Sequence, residues 1–267
     1  MAERFFATKQ IDGPGPTHTL TLLSGPPSCG KTSLLFQYAL NCATASNGKV
    51  VFICNRRRLE NNPPFLSQGT EPSLDALQRI QMKYLEDDDG LKKYFASFHL
   101  HDNFPSAVII DDFGDFFPDR NCQDKYGNAR GRDLAMVRSL ALCRDAITHA
   151  NEKLQSRDYC SESCILAEIL HYPSANFFPL CSSFSEKLQS VEYCKLVIAD
   201  THQGDSPRLL FIYKRWIQCI FTIQELNNSR SFLLRTVTTS GGRAERMRTA
   251  KYSIALQYLV LEEMSED

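Results

Sequence analysis

No run of about 18 apolar residues occurs in the 267-residue chain, so nothing in it reads as a membrane-spanning helix. Charge of either sign is not in excess: 30 Lys+Arg face 31 Asp+Glu, a formal net charge of -1. Contact with nucleic acid would therefore need a local basic patch rather than a global field. An apolar signal segment at the amino end is missing too, which makes the ten cysteines look like thiols of a reducing compartment rather than a disulfide framework. Metal-site spacing is absent as well. Cys160 and Cys164 form the closest cysteine pair, with no second pair and no spaced histidines to complete a zinc site. Internal repeats and low-complexity tails are lacking. At 43% hydrophobic residues the composition suits one large domain, which we take to span residues 1–267.

What is present begins with "THTLTLLSG", residues 17–25, a strand pattern that runs into glycine. "KTSLLFQYALNCATAS" follows with apolar side chains at Leu34, Leu35, Tyr38 and Cys42, a helical spacing. "GKVVFICNRR" is a second apolar run and predicts a parallel neighbour strand, completing a βαβ unit. Residues 59–72 read as a loop, and "SLDALQRIQMKYL" as an amphipathic helix capped by Ser73, with another helix over 90–100. "SAVIIDDFGDFF" supplies a third strand, Ala107 to Ile110; "ARGRDLAMVRSLALCRDAITHANEKL" is the longest helical pattern; "CKLVIADTH" is a fourth strand. Residues 157–190, rich in Ser, Cys and Phe without a clear period, read as an insertion with some helix and loose order. From Leu209 onward, "LLFIYKRWIQCIFTIQE", "SFLLRTVTT" and "AKYSIALQYLVLEE" predict antiparallel strands joined by hairpin-style connections. The fold class is α/β: a mainly parallel sheet flanked by helices, finished by antiparallel strands.

The most specific motif is Gly25-Pro26-Pro27-Ser28-Cys29-Gly30-Lys31-Thr32, followed by Ser33. A glycine, four residues and Gly-Lys-Thr let backbone N–H groups curl around phosphate oxygens at a helix amino terminus. Lys31 would reach the β and γ phosphates and Thr32 would offer its hydroxyl to Mg²⁺. Asp111, delivered by a buried strand to the edge of the sheet, is the matching carboxylate for the metal, and Asp112 is its weaker neighbour. Lys31 and Asp111 are thus the catalytic candidates, with Thr32 and Asp111 on magnesium. Hydrolysis also needs a group that positions and partly deprotonates water, and no such base is evident.

An amino-terminal phosphate loop, four core strands and a β-rich final third resemble the RecA-type recombinase core. In that family the strand after the loop's helix ends in an acidic turn carrying the catalytic glutamate. Here that strand ends "FICNRRRLE", so Cys54, Asn55 and Arg56 fall where the acidic turn should be. Glu60, four residues on, could substitute only if the loop folded back. The series "LLFQYAL", "VVFICNRRRLE", "LDALQRIQMKYL", "AVIIDDFGDFF" resembles one divergent branch more closely: the small recombinase paralogue that partners a SWIM-type zinc-finger protein in Shu-like complexes.

The resemblance implies ATP and Mg²⁺ as ligands and weak hydrolysis. It also implies single-stranded DNA association, hetero-oligomeric assembly with the zinc-finger partner, support of recombinase filaments in homologous recombination, and a nuclear location. It leaves no room ahead of the loop for the helical amino-terminal domain of full-length recombinases. His202 and Gln203 fall where recombinase-like ATPases carry a polar group sensing the γ-phosphate, although a capped loop of exposed polar residues is the plainer account.

Three further features have competing readings. Arg56, Arg57 and Arg58 suit a solvated loop better than DNA contact. Arg243, Arg246, Arg248 and Lys251, around a glycine-opened hairpin, are the stronger DNA candidates. Trp216 reads as core, and the "FQYA" tetrapeptide, Phe36 to Ala39, as a buried helix segment rather than a plug between protomers. Two alternatives stay open for the whole chain. One is a RecA-fold scaffold without a DNA role. The other is a small-molecule kinase, whose phosphate-clamping lid could come only from Arg120, Arg130 and Arg132.

Overall fold

A computed structural model describes residues 2–6, 18–127, 130–170, 193–202, 207–226, 230–238 and 248–266. Its centre is formed by strands β1 (Leu20–Gly25), β2 (Val50–Cys54), β5 (Ala107–Ile110) and β6 (Lys195–Thr201). Their residues are buried almost without interruption, as expected for parallel strands covered on both faces. Alternate side chains go to opposite faces. Leu23, Phe52, Ile109, Val197 and Ala199 join helix α1 (Lys31–Ala45) in one core. Leu22, Ile53, Ile110, Leu196 and Ile198 join the other, beneath helices α4 (Asp88–Ala96) and α6 (Gly131–Leu170). Each fully buried Phe or Leu contributes about 1.5–3 kcal/mol relative to exposure, which is why two such layers fix the strand faces.

Ten strands form one sheet among the described residues, adding β3 (Leu66–Ser67), β4 (Ile80–Tyr84), β7 (Cys219–Leu226), β8 (Ser231–Thr238), β9 (Arg248–Ala255) and β10 (Tyr258–Glu266). The order is β3-β10-β9-β8-β7-β1-β6-β5-β2-β4. From β4 through β7 neighbouring strands run parallel; β7, β8, β9 and β10 then pair antiparallel. The mainly parallel sheet with flanking helices and antiparallel carboxy-terminal strands is as the sequence predicts.

Three local expectations are corrected. The helix opened by Ser73 exists, with the Ser73 hydroxyl accepting from the Ala76 N–H at 3.2 Å, but it is only α3 (Leu74–Arg79). Ile80 to Tyr84 then turns into edge strand β4, parallel to β2. The alternation Ile-Gln-Met-Lys-Tyr carries the strand period, and pairing with buried β2 outweighs helix propensity there. The loop at 59–72 contains the end of a short helix, α2 (Arg56–Asn61), and the two residues of β3. Finally, "PRLLFIYK" is helix α7 (Pro207–Lys214) rather than strand. A short apolar run cannot by itself decide between the two states; Pro207 at the first helical position is the signal that does.

The α6 helix continues to Leu170, into the stretch read as an insertion. Residues 171–190 of that stretch lie outside the described residues, as do the side chains of Cys160 and Cys164. In "FQYA", Gln37, Tyr38 and Ala39 are buried and Phe36 is half-buried, its ring edge-on to Phe52 at 5.9 Å. Trp216 packs against the α6-side core, as expected.

Candidate phosphate-binding site

The sheet places the carboxyl ends of β1, β5 and β6 side by side, and the loop after β1 closes over them. Ser28 and Gly30 both adopt left-handed backbone, with φ 59° and 84°. Gly30 is the residue before the first turn of α1, and a Cβ there would come within 2.9 Å of Ile254, so glycine is required on two counts. A Cβ on Gly25 would come within 2.8 Å of the Cys29 sulfur. From β9, the buried Tyr252 hydroxyl donates to the Cys29 carbonyl at 2.7 Å, tying the loop to the antiparallel half of the sheet.

Lys31 is buried, and its Nζ folds back onto the loop, donating to the carbonyls of Pro26 at 2.8 Å and Gly25 at 3.2 Å. Burial pushes its pKa down from the ordinary 10.5. Thr32 Oγ1 donates to the Asp111 carboxylate at 2.9 Å, joining residues 79 apart in sequence. Burial raises the Asp111 pKa above the ordinary 3.8; the Thr32 hydrogen bond and then the Arg58 and Lys31 charges oppose that shift. These donors fit a magnesium-bound polyphosphate. A glycine-shaped loop offers backbone N–H groups, Lys31 a charge, and the Thr32 hydroxyl and Asp111 carboxylate oxygen ligands for a hard cation. Pro26 and Pro27, which lack that N–H, shape the loop without donating to it.

On the other side of the loop His202 closes the gap. Its backbone N–H donates to the Gly25 carbonyl at 3.1 Å, and its Nδ1 lies 2.9 Å from the Ser24 hydroxyl. It is half-buried against the loop rather than exposed; Gln203 lies outside the described residues. Ser33 faces elsewhere, its hydroxyl accepting from the Phe65 N–H at 2.9 Å. That bond docks residues 63–67 onto α1.

The expected position of the base holds cations. Asn55 caps α2 by accepting from the Arg58 N–H at 3.3 Å, and the Arg58 guanidinium then spans the carboxylates of Asp112 and Asp115. Arg56 is exposed and pairs with Glu60 at 2.8 Å, while Arg57 is exposed. Glu60 lines an apolar groove with Phe36, Pro63, Pro64 and Leu77 and makes no contact with Asp111 among those described.

Three further participants appear, of which sequence reasoning named Asp112 only as the weaker neighbour of Asp111 and passed over Asp200 and Tyr252. Asp112 is buried and left-handed, at φ 46°, and its carboxylate also accepts from the Thr201 hydroxyl. Asp200 is buried at the end of β6 and accepts from Tyr213 at 2.7 Å, Thr201 N–H at 3.0 Å and Gly114 N–H at 3.1 Å; burial raises its pKa all the same. Tyr252 is the third. A repeated signal was present for the first two: Asp111 and Asp112 directly follow β5, and Asp200 is the last residue but one of β6.

Of the DNA candidates, Arg243 and Arg246 lie outside the described residues and Arg248 is described only in its backbone, as the first residue of β9. Lys251 pairs with Glu262 across β9 and β10 at 2.9 Å. Of the arginines proposed for a kinase lid, Arg132 donates to the Gly114 carbonyl at 3.2 Å, while Arg120 and Arg130 are exposed.

A glycine-shaped loop, a buried lysine and a threonine–aspartate contact at the carboxyl edge of this sheet form a candidate phosphate site on a fold like that of RecA-type proteins. The fold matches the crystal structure of the RadB recombinase with a TM-score of 0.50, covering 92% of this chain and 91% of that one at 13% identity. In sequence, 93 residues are 37% identical to the human protein named ATPase SWSAP1, over 34% of this chain and 38% of the relative. The chain is thus similar to a RecA-type recombinase paralogue, and the match spans well under half of that relative's length. No protein-family model matches the chain.

Proposed function

We propose that this chain is an ATP-binding subunit of a nuclear recombination complex, holding Mg-ATP at Gly25 to Ser33 and Asp111 and hydrolysing it slowly. The single observation that carries the nucleotide reading is the Thr32–Asp111 contact beside a buried Lys31. That pairing brings a carboxylate from the end of β5 to the hydroxyl next to Lys31, which supports a cation site beside a phosphate site. When bound, magnesium would neutralise charge on the β and γ phosphates. The chain's own part is to orient the phosphates with loop N–H groups, supply the Lys31 charge and hold the ion between Thr32 and Asp111.

The expectation of slow hydrolysis rests on Cys54, Asn55 and Arg56 standing where the resemblance places the acidic turn, because none of them, least of all a guanidinium, suits the role of a base toward water. The similarity to a human ATPase and to the RadB recombinase fold supports a place in homologous recombination. On this reading the partners are a SWIM-type zinc-finger protein, a recombinase filament and single-stranded DNA. The test is nucleotide and DNA binding by the purified chain, alone and with a co-expressed zinc-finger partner. Expected are Mg-dependent ATP binding and a salt-sensitive preference for single strands. Neutralising Arg243, Arg246 and Arg248 together should weaken DNA binding about tenfold or more and flatten its salt dependence. Absence of DNA binding at low salt, with and without the partner, would remove DNA from the proposal while leaving the nucleotide site standing.

A further inference from the structure

Just beyond the turn where the resemblance would put an acidic group, four residues from three different strand ends form one cluster. Arg58 leaves the end of β2 on the first turn of α2 and pairs with Asp112 and Asp115, which follow β5. The two carboxylates hold it unequally. Asp112 is 2% exposed at its side chain, and its second oxygen accepts from the Thr201 hydroxyl at the end of β6. Its left-handed backbone, φ 46° and ψ 67°, aims that carboxylate between the two partners, a conformation costly for a non-glycine residue unless its surroundings hold it. Asp115, by contrast, is 59% exposed, so its bond to Arg58 is the easily exchanged one. Arg58 itself keeps 38% of its side chain open to solvent.

Its partner Asp112 directly follows Asp111, whose carboxylate accepts from the Thr32 hydroxyl at 2.9 Å, so the guanidinium is one residue removed from the candidate cation ligand. After burial, which dominates both shifts, its charge acts on Lys31, lowering that pKa further, and on Asp111, opposing the rise. Lys31 and Asp111 are the residues that would hold the terminal phosphate and its cation on the proposed reading.

We infer that Arg58 is a specificity-determining residue for the terminal phosphate: on nucleoside triphosphate binding it exchanges Asp115 for γ-phosphate oxygens while Asp112 keeps hold of its other edge. The inference rests on the phosphate loop being the nucleotide site. A planar fork of N–H donors suits two phosphate oxygens at once, and a diphosphate lacks the γ-phosphate that it would take. The site therefore distinguishes triphosphate from diphosphate, and a residue that cannot act as a base still gives the protein a way to register which one is bound.

The test measures affinities of fluorescent ATPγS and ADP, with magnesium, for the intact chain and for Arg58→Gln, Arg58→Lys, Asp115→Asn and Lys31→Ala. The unsubstituted protein is expected to prefer the triphosphate by about tenfold or more, the usual range for a charge-assisted pair. Arg58→Gln should bring that ratio close to one, Arg58→Lys should leave it intermediate, and Asp115→Asn should raise it. An unchanged ratio in Arg58→Gln with a normal melting curve overturns the inference and leaves nucleotide binding intact. Should Arg58→Gln fail to fold, Asp115→Asn decides, because a ratio no higher than that of the unsubstituted protein is equally fatal. Lys31→Ala is expected to lose both nucleotides in parallel. Absence of binding of either nucleotide to the unsubstituted chain would bring down the nucleotide site itself, and the inference with it.

Discussion

Two strand ends beside the phosphate loop have opposite characters. At the end of β5, Asp111 is buried and joined to Thr32, the arrangement needed to hold a metal–phosphate complex. At the end of β2, one strand further out, the polypeptide caps a short helix with Asn55 and presents Arg58, paired to two carboxylates. On the proposed reading the first end would serve binding, while the second offers an arginine where hydrolysis would call for a base. If the proposal holds, holding a nucleotide and cleaving it are separable here, because each would draw on a different strand end.

The sharpest way to break that contrast is at Lys31. Lys31→Ala should lower nucleotide affinity about a hundredfold, corresponding to loss of about 2–3 kcal/mol of charge-assisted bonding, as read by titration calorimetry. The melting temperature should hold. A lysine whose folded pKa lies below 10.5 opposes folding at neutral pH, so removing its charge relieves a cost. Unchanged affinity would mean that the loop is not a phosphate site.

Next in size is the support beneath both ends. Tyr213→Phe deprives buried Asp200 of a donor at 2.7 Å and is expected to cost about 1–3 kcal/mol in urea denaturation. If stability is unaffected, Asp200 is protonated and satisfied without that hydroxyl.

A smaller and graded effect is expected from pH. The folded Asp111 pKa is raised above 3.8, so the carboxylate protonates at a higher pH than an ordinary aspartate. The magnesium-dependent part of nucleotide affinity should therefore decline as the solution is acidified toward that raised value, before 3.8 is reached. Stability of the unliganded chain moves the other way, since its folded state takes up the Asp111 proton more readily than the unfolded state. Asp111→Asn should abolish the pH dependence of the magnesium effect; a persisting dependence would place the metal on another ligand.

The smallest change is expected at Glu60. Glu60→Gln should alter ATP turnover by less than about twofold, because Glu60 pairs with Arg56 on the exposed side of α2 and no step depends on its protonation. Rapid turnover that this substitution abolishes would restore a base to the β2 end and end the contrast.

Local patterns made much of this architecture legible. The uninterrupted apolar runs of β2, β5 and β6 announce parallel strands buried on both faces, and Gly-x-x-x-x-Gly-Lys-Thr announces the turn between β1 and α1. Reading was less successful where period alone had to choose. Ile80 to Tyr84 became a strand because β2 offered it an open edge, and Leu209 to Lys214 became helical behind Pro207. The three arginines illustrate the limit at the site. As a run they resemble a solvated loop, yet one pairs with Glu60, one is exposed and one reaches Asp112.

Sequence alone determined the phosphate loop, its order between β1 and α1, and the aspartate that ends β5, since these follow from local backbone needs and short periodicities. It also determined that the turn after β2 lacks a glutamate. Only the tertiary structure decided what stands in that place. Arg58, Asp112, Asp115 and Thr201 come from the ends of three strands, and they meet because β6, β5 and β2 lie side by side in the sheet. The same holds for Tyr252, which reaches the Cys29 carbonyl from 223 residues away. Such contacts depend on strand order and the packing of two cores, neither of which any short stretch of the chain records.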